Sequence, residues 1–198
     1  MCRDKSPLEK AVDFHGHICP GLLMGLRAAE FAREYLGVSP DIDEELLAIV
    51  ETDSCGADAI QAVLGCTFGK GNLIFKDYGK NAYTIVSREK NKAVRIAAIF
   101  GANNSPESAR FRELGRKGQL TDEEINEREE LRGVLFERIM TRSFEEMFTY
   151  REVPLEIPPK ATIHATLQCS VCAEGVSEHR AVKEGDKVVC LECQAKGA

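Results

Sequence analysis

The order of apolar and polar positions divides the chain into stretches of different period. From Gly21 to about Leu36 good helix formers dominate. Leu22, Leu26, Ala29 and Arg33 recur at helical spacing, and Leu23, Ala28 and Ala32 widen the apolar side. That pattern predicts a helix lying on a core. Gly37 and Ser39-Pro40-Asp41 supply its stop. Leu46 to Thr52 is short, apolar and partly β-branched, which predicts a buried strand. A helical pattern resumes over Ala57 to Leu64, with Ser54 or Asp53 as its N-cap. Asn72 to Tyr78, Ala82 to Ser87 and Ala93 to Phe100 read as three more strands, turned at Gly79-Lys80-Asn81 and Asn91-Lys92. The expected arrangement is an antiparallel meander with helices of the first half covering one face.

Residues 1–13 form a polar approach with a short helix around Pro7 to Val12. Ser105-Pro106 starts a helix with proline at its first position. Thr121-Asp122-Glu123-Glu124 matches a capping box before a long charged helix reaching about Met140, with Arg128, Leu131, Leu135 and Ile139 on one face. A short helix over Phe144 to Tyr150 follows. The proline-rich stretch Val153 to Pro159 then reads as a link. It divides the chain into a core of residues 1–157 and a C-terminal unit of residues 158–198. The fold class expected is α+β: an antiparallel sheet core with helices packed on it, plus a small C-terminal zinc finger.

Composition narrows the options. The chain has 198 residues, enough for one substantial domain and an appendage. Its net charge of −6 argues against broad electrostatic binding to nucleic acid or an acidic membrane. No apolar run approaches the roughly 20 residues of a membrane span. The N-terminal MCRDKSPLEK lacks the apolar centre of a secretory signal. The expected compartment is therefore the cytoplasm. Disulfides rarely persist there, so the eight cysteines read first as metal ligands, reactive thiols or packed side chains.

Cys169-Ser170-Val171-Cys172 and Cys190-Leu191-Glu192-Cys193 are two Cys-x-x-Cys units. Four thiolates grouped this way suit a tetrahedral structural zinc, and the segment is too small to fold on apolar burial alone. Two disulfides or two redox pairs are the alternative. The compartment disfavours the first, and one redox pair does not need a second. Gly175 and Gly185 permit the turns between the units. A closed four-cysteine shell leaves no open coordination position, so its role is structural or partner-facing, and nearby His164 and His179 are not needed as ligands. The segment from Lys160 onward balances five basic against five acidic residues, so it carries no basic stripe for nucleic acid.

The other concentration of chemistry is Phe14-His15-Gly16-His17-Ile18-Cys19-Pro20-Gly21. If the backbone is extended through His15, His17 and Cys19, their side chains face one volume. Cys19 and Cys55 both stand at the start of predicted helices, where negative charge is favoured. With His15 and His17 they form a candidate site for catalysis, and His17, Cys19 and Cys55 a candidate set for a borderline-soft metal of undetermined identity. Asp53 and Asp58 are placed to orient an imidazole, and Gln61 to hydrogen-bond a ligand. Core packing is the alternative for any one of these residues, and is the reading for Cys66. Cys2 reads as inert. Gly69-Lys70-Gly71 lacks P-loop spacing and reads as a tight turn in preference to a phosphate cradle.

Three motifs in order, Phe14 to Gly21, Asp53 to Gln61 (DSCGADAIQ) and Gly65 to Leu73 (GCTFGKGNL), resemble the FmdE family, which takes its name from formylmethanofuran dehydrogenase. The C-terminal cysteine unit resembles the treble-clef zinc finger appended to some members. The resemblance implies an α+β core, a homodimer, and metal near the histidines and cysteines of the first two motifs. It links the chain to molybdenum or tungsten enzymes. Two functions follow as expectations. One is an accessory or metal-handling protein related to such an oxidoreductase, docking it through the finger. The other is a stand-alone small enzyme using Cys19 or a metal-bound water. The sequence does not decide whether the chain is an enzyme.

Overall fold

A computed structural model describes residues 5–154 and 157–197. Cys2 lies outside them. The chain divides after Lys160 into two compact units.

The first unit begins with α1 (Pro7–His15), opened by a capping box between Ser6 and Glu9 and closed by Gly16 in the left-handed conformation. α2 (Pro20–Leu36) follows and ends at left-handed Gly37. Then come β1 (Leu46–Val50), α3 (Gly56–Leu64), β2 (Leu73–Phe75), β3 (Ala82–Ser87) and β4 (Lys92–Ala98). The second half adds α4 (Pro106–Arg116), α5 (Asp122–Thr141), α6 (Phe144–Met147) and β5 (Phe148–Glu152). Capping boxes at Ser105, Thr121 and Ser143 fix the starts of α4, α5 and α6.

The sheet has five strands in the order β2-β1-β3-β4-β5. β1, β3, β4 and β5 pair antiparallel, with Ala48 opposite Ile85 and Val94 beyond it. The expected meander needs one correction. β2 pairs parallel with β1, placing Leu73 opposite Ala48, and does not form a hairpin with β3. A parallel neighbour requires a crossover, and α3 is that crossover. A second correction concerns Phe144 to Tyr150. The helix there stops after one turn at Met147, and Phe148 onward forms edge strand β5 beside β4. The aromatic run explains the switch. Phe144 stacks on Phe31 with centroids 3.7 Å apart, and Tyr150 packs against both Phe31 and Tyr35.

The α2 apolar face, α3 and the C-terminal end of α5 cover one side of the sheet. Leu22, Leu26, Ile60, Leu64, Ile85 and Ile96 are buried together there. Each such side chain stabilises the fold by roughly 1.5–3 kcal/mol. On the other side Leu47, Val86 and Ala93 form a smaller cluster, with Val153 and Ile157 packed against it. Arg88 donates to the Pro158 carbonyl at 2.5 Å. The described ends of the proline-rich stretch are therefore seated on this unit.

Asp41 is buried and holds the approach to β1. Its carboxylate accepts from the Leu46 amide at 2.8 Å and from Asn72 Nδ2 at 2.9 Å, and pairs with Lys70. Lys70 is thus committed to a buried carboxylate, which supports the tight-turn reading of Gly69-Lys70-Gly71.

Among the described residues the second unit has two hairpins, a 3-10 turn (Glu178–Arg180) and a short helix. β6 (Thr166–Gln168) pairs with β7 (Gly175–Ser177), and β8 (Ala181–Glu184) with β9 (Lys187–Cys190), which runs into α7 (Leu191–Ala195). Gly185 takes the left-handed turn between β8 and β9. In the first hairpin that conformation falls on Ala173, while Gly175 lies in a strand. No helix among the described residues is long and apolar enough to cross a membrane.

Candidate metal centres

The central His/Cys stretch is not extended. His15 ends α1, Gly16 turns in the left-handed conformation, and Cys19 adopts an extended backbone as N-cap of α2. A capped helix end uses the backbone groups that an extended strand would leave unpaired, so the two helices meet at a tight corner. The corner still gathers the ligand atoms. One atom each from His15, His17 and Cys19 lie within 4.8 Å of one another. His15 Nε2 is 3.8 Å from Cys19 Sγ. Tetrahedral bonds of ordinary zinc–nitrogen and zinc–sulfur length place their ligand atoms about 3.4–3.8 Å apart, so this spacing fits a shared ion.

The other ring nitrogen of His15 is fixed from α3. Nδ1 and Asp58 Oδ2 are 2.7 Å apart, so Nδ1–H donates to the carboxylate while Nε2 faces Cys19. Gln61 donates to the second Asp58 oxygen at 3.5 Å. Asp58 and Gln61 are one helical turn apart, so α3 supplies both. Cys19 Sγ accepts from the Leu22 amide at 3.4 Å.

Cys55 is the N-cap residue of α3, in place of Ser54 or Asp53, and its side chain makes no capping hydrogen bond. It is free to face α2. The space that a Cβ on Gly21 would fill is 3.8 Å from Cys55 Sγ and 4.0 Å from Cys19 Sγ. Burial, then hydrogen bonding and charge interaction with Cys19, push the Cys55 thiol up. Cys55 therefore sits beside Cys19 but outside the group formed by His15, His17 and Cys19. Cys66 is fully buried, and burial raises its thiol to about 12. It packs.

Close approach of α2 and α3 is what sets Cys55 beside Cys19. A Cβ on Gly25 would lie 2.2 Å from the Gly56 carbonyl oxygen. A Cβ on Gly56 would lie 2.0 Å from the Tyr83 hydroxyl oxygen, which itself donates to Asn81 Oδ1 at 2.7 Å. Tyr83 is the member of this surround that sequence reading missed. A single tyrosine in the apolar strand Ala82 to Ser87, where the hydroxyl needs a partner, is the signal that could have found it.

The site opens to solvent. His17 is exposed and borders a cleft of about 470 Å³ that reaches Ile18 and, on α5, Glu129, Arg132, Gly133 and Phe136. A second cleft of about 360 Å³ starts at Pro20 and Gly21 and runs past Met24, Phe111 and Leu135. An ion held by His15, His17 and Cys19 would keep a position for water or another ligand.

In the second unit the thiols of Cys169, Cys172, Cys190 and Cys193 lie within 4.8 Å of one another. Cys169 and Cys193 are buried, and Cys172 is exposed. Amides of Cys172, Cys190 and Val171 donate toward Cys169 and draw its thiol down to about 6. The Cys190 amide is 3.4 Å from Cys169 Sγ, and the Cys193 amide 3.4 Å from Cys190 Sγ. Such amides stabilise thiolates. Cys193, hydrogen-bonded to Cys190, is pushed up to about 12. The rings of His164 and His179 lie against each other, tilted by 30° with centroids 4.1 Å apart, and are not members of the cysteine group.

The chain is thus a mixed α+β protein carrying two His/Cys groups able to hold a metal ion. A family model described as "FmdE, Molybdenum formylmethanofuran dehydrogenase operon" matches residues 14–149. The chain belongs to the FmdE family. A solved structure of a tungsten formylmethanofuran dehydrogenase FmdE-like protein from Syntrophus aciditrophicus is similar, with a TM-score of 0.63 and 25% identity, over 96% of this chain and 90% of that one. A protein of Archaeoglobus fulgidus named a probable S-adenosyl-L-methionine-binding protein is 35% identical over 193 residues. The match covers 94% of this chain and 52% of that protein, so the chain spans about half the length of this relative.

Proposed function

We propose that this chain is a metal-handling member of the FmdE family. In this reading His15, His17 and Cys19 bind an exchangeable, borderline-soft divalent ion, and Asp58 orients His15. The C-terminal cysteines form a treble-clef finger around a structural zinc. The finger docks a molybdenum or tungsten oxidoreductase, and the working unit is a homodimer. The observation that carries the reading is the convergence of three ligand atoms within 4.8 Å, one of them on the exposed His17, with a carboxylate behind the half-buried His15 ring. The family description and the tungsten-linked relative support the choice of partner. The sequence of hairpin, hairpin and short helix, with cysteines at the first turn and at the start of α7, supports the finger.

A second reading has its own observation. Cys19, His15 and Asp58 follow one another through contacts of 3.8 and 2.7 Å, as in a thiol nucleophile with its base and orienting carboxylate. Here His17 is dispensable and Asp58 is not.

Zinc titration of the full chain against a chromophoric chelator separates the two. The metal reading expects His17→Ala and Cys19→Ser each to abolish the weaker, exchangeable binding event and to leave the tighter one. Uptake by His17→Ala equal to that of the wild type would overturn it. Rapid alkylation of Cys19 that is lost in Asp58→Asn and kept in His17→Ala would support the nucleophile.

A further inference from the structure

Cys19 and Cys55 are related in a way that neither reading uses. Each is the N-cap residue of a helix, α2 and α3, and the two helices touch backbone to backbone through Gly25 and Gly56. The two sulfurs border one small space, the place of the missing Gly21 Cβ. Cys55 Cβ is 3.3 Å from that point, Cys55 Sγ 3.8 Å and Cys19 Sγ 4.0 Å. A side chain at position 21 would touch both sulfurs. Both are half-buried, so a small solute reaches them, whereas Cys66 is sealed in the core.

We infer that Cys19 and Cys55 are a reversible dithiol: a peroxide-class oxidant joins them in a disulfide, and the bond withdraws the sulfur ligand from the His15–His17–Cys19 group. The pairing stands on the geometry alone, and the effect on metal rests on the proposed metal reading. A disulfide needs an S–S distance of about 2.05 Å, so the two thiols must turn into the space above Gly21. The Cys19 sulfur, already accepting the Leu22 amide, attacks one peroxide oxygen. An S–O bond forms, the O–O bond breaks, and hydroxide leaves with the thiol proton as water. The Cys55 sulfur then attacks the Cys19 sulfur. An S–S bond forms, the S–O bond breaks, and the hydroxyl leaves as water with the Cys55 proton. Two sulfurs lose two electrons, and peroxide is reduced to two waters. A thiol reductant reverses the change.

The test treats the metal-free full chain with stoichiometric hydrogen peroxide and maps the cysteines by mass spectrometry after tryptic cleavage. Cys19 falls in the peptide of residues 11–27, and Cys55 and Cys66 share the peptide of residues 34–70. The two peptides are expected to appear cross-linked in the wild type and in Cys66→Ala, and unlinked in Cys55→Ser. In Cys55→Ser the Cys19 sulfenic acid persists and is trapped by dimedone. Near-ultraviolet circular dichroism confirms that the first unit of each variant is folded. Zinc loaded beforehand is expected to block the cross-link, and the oxidised chain to lose its exchangeable zinc until it is reduced. Cys19 and Cys55 remaining free thiols, or Cys19 passing to sulfinic acid with Cys55 untouched, would overturn the pairing. A cross-link that forms in a chain whose reduced state takes up no exchangeable zinc supports the dithiol and refutes the metal reading.

Discussion

The two His/Cys groups use similar ligands and rest on different foundations. The group at His15, His17 and Cys19 stands on a corner between two capped helices. That corner is backed by a core in which Leu22, Leu26, Ile60 and Ile85 are buried. Its scaffold owes nothing to an ion. In the group at Cys169, Cys172, Cys190 and Cys193, Cys169 and Cys193 form with Val189 the buried cluster of the unit, and Cys190 packs against it. There the ion, once bound, would be the core. The first arrangement suits exchange and chemistry, because losing the ion leaves the site standing. The second suits permanence, because losing the ion removes the reason to fold.

The largest effect should come from breaking the second group. Cys193→Ser is expected to unfold residues 166–195, since a structural zinc contributes on the order of 10 kcal/mol to such a unit. The first unit should keep its melting transition, as read by near-ultraviolet circular dichroism. A matching loss in the first unit would break the contrast.

Next is Gly25→Ala, which drives a Cβ into the Gly56 backbone. Overpacking of this kind costs about 1–3 kcal/mol. It should lower the melting temperature of the first unit and weaken exchangeable metal uptake, leaving the second unit's metal in place. An unchanged melting temperature would show that α2 and α3 have room to part.

Asp58→Asn keeps the shape and removes the charge behind His15. Loss of such an orienting carboxylate weakens metal binding about 10–100-fold. Competition titration should register that loss at the exchangeable site alone, with no change in fold.

The smallest effect is pH-dependent. Arg95 clasps Glu51 through two contacts of 2.7 and 2.8 Å and holds its carboxyl below the usual value of 4.5. The folded state therefore binds this proton less readily than the unfolded state. The stabilisation is complete above about 4.5 and fades as pH falls through the lower folded value. In denaturant titrations, Glu51→Gln should flatten the acid limb of stability for the first unit. A parallel acid limb would remove Glu51 from the account.

Much of this organisation was legible in the chain. The caps at Gly37, Ser105 and Thr121 announced helix ends because capping is local chemistry. The four C-terminal cysteines announced themselves by spacing. Other features were set by partners distant in sequence. The parallel seat of β2 depends on α3 as crossover, and the conversion of Phe148 to Glu152 into a strand depends on the free edge of β4. The bend at Gly16 overrode the alternation of His15, His17 and Cys19, because a capped helix satisfies the backbone groups of His15. Of Asp53 and Asp58, both expected to orient an imidazole, Asp58 meets His15 and Asp53 is exposed, a choice that required the α1–α3 packing. Gly25, inside a helical pattern, marks a close approach, but that its partner is Gly56, which sets Cys55 beside Cys19, is not written locally.

The contrast between a metal-independent site and a metal-dependent unit is tested most directly by residue-level amide hydrogen exchange on the full chain, with and without a strong chelator. Stripping the metal should abolish protection of amides in β8, β9 and α7 while those of β1, β3 and β4 keep theirs. Equal loss of protection in both units, or retention in both, would contradict the account.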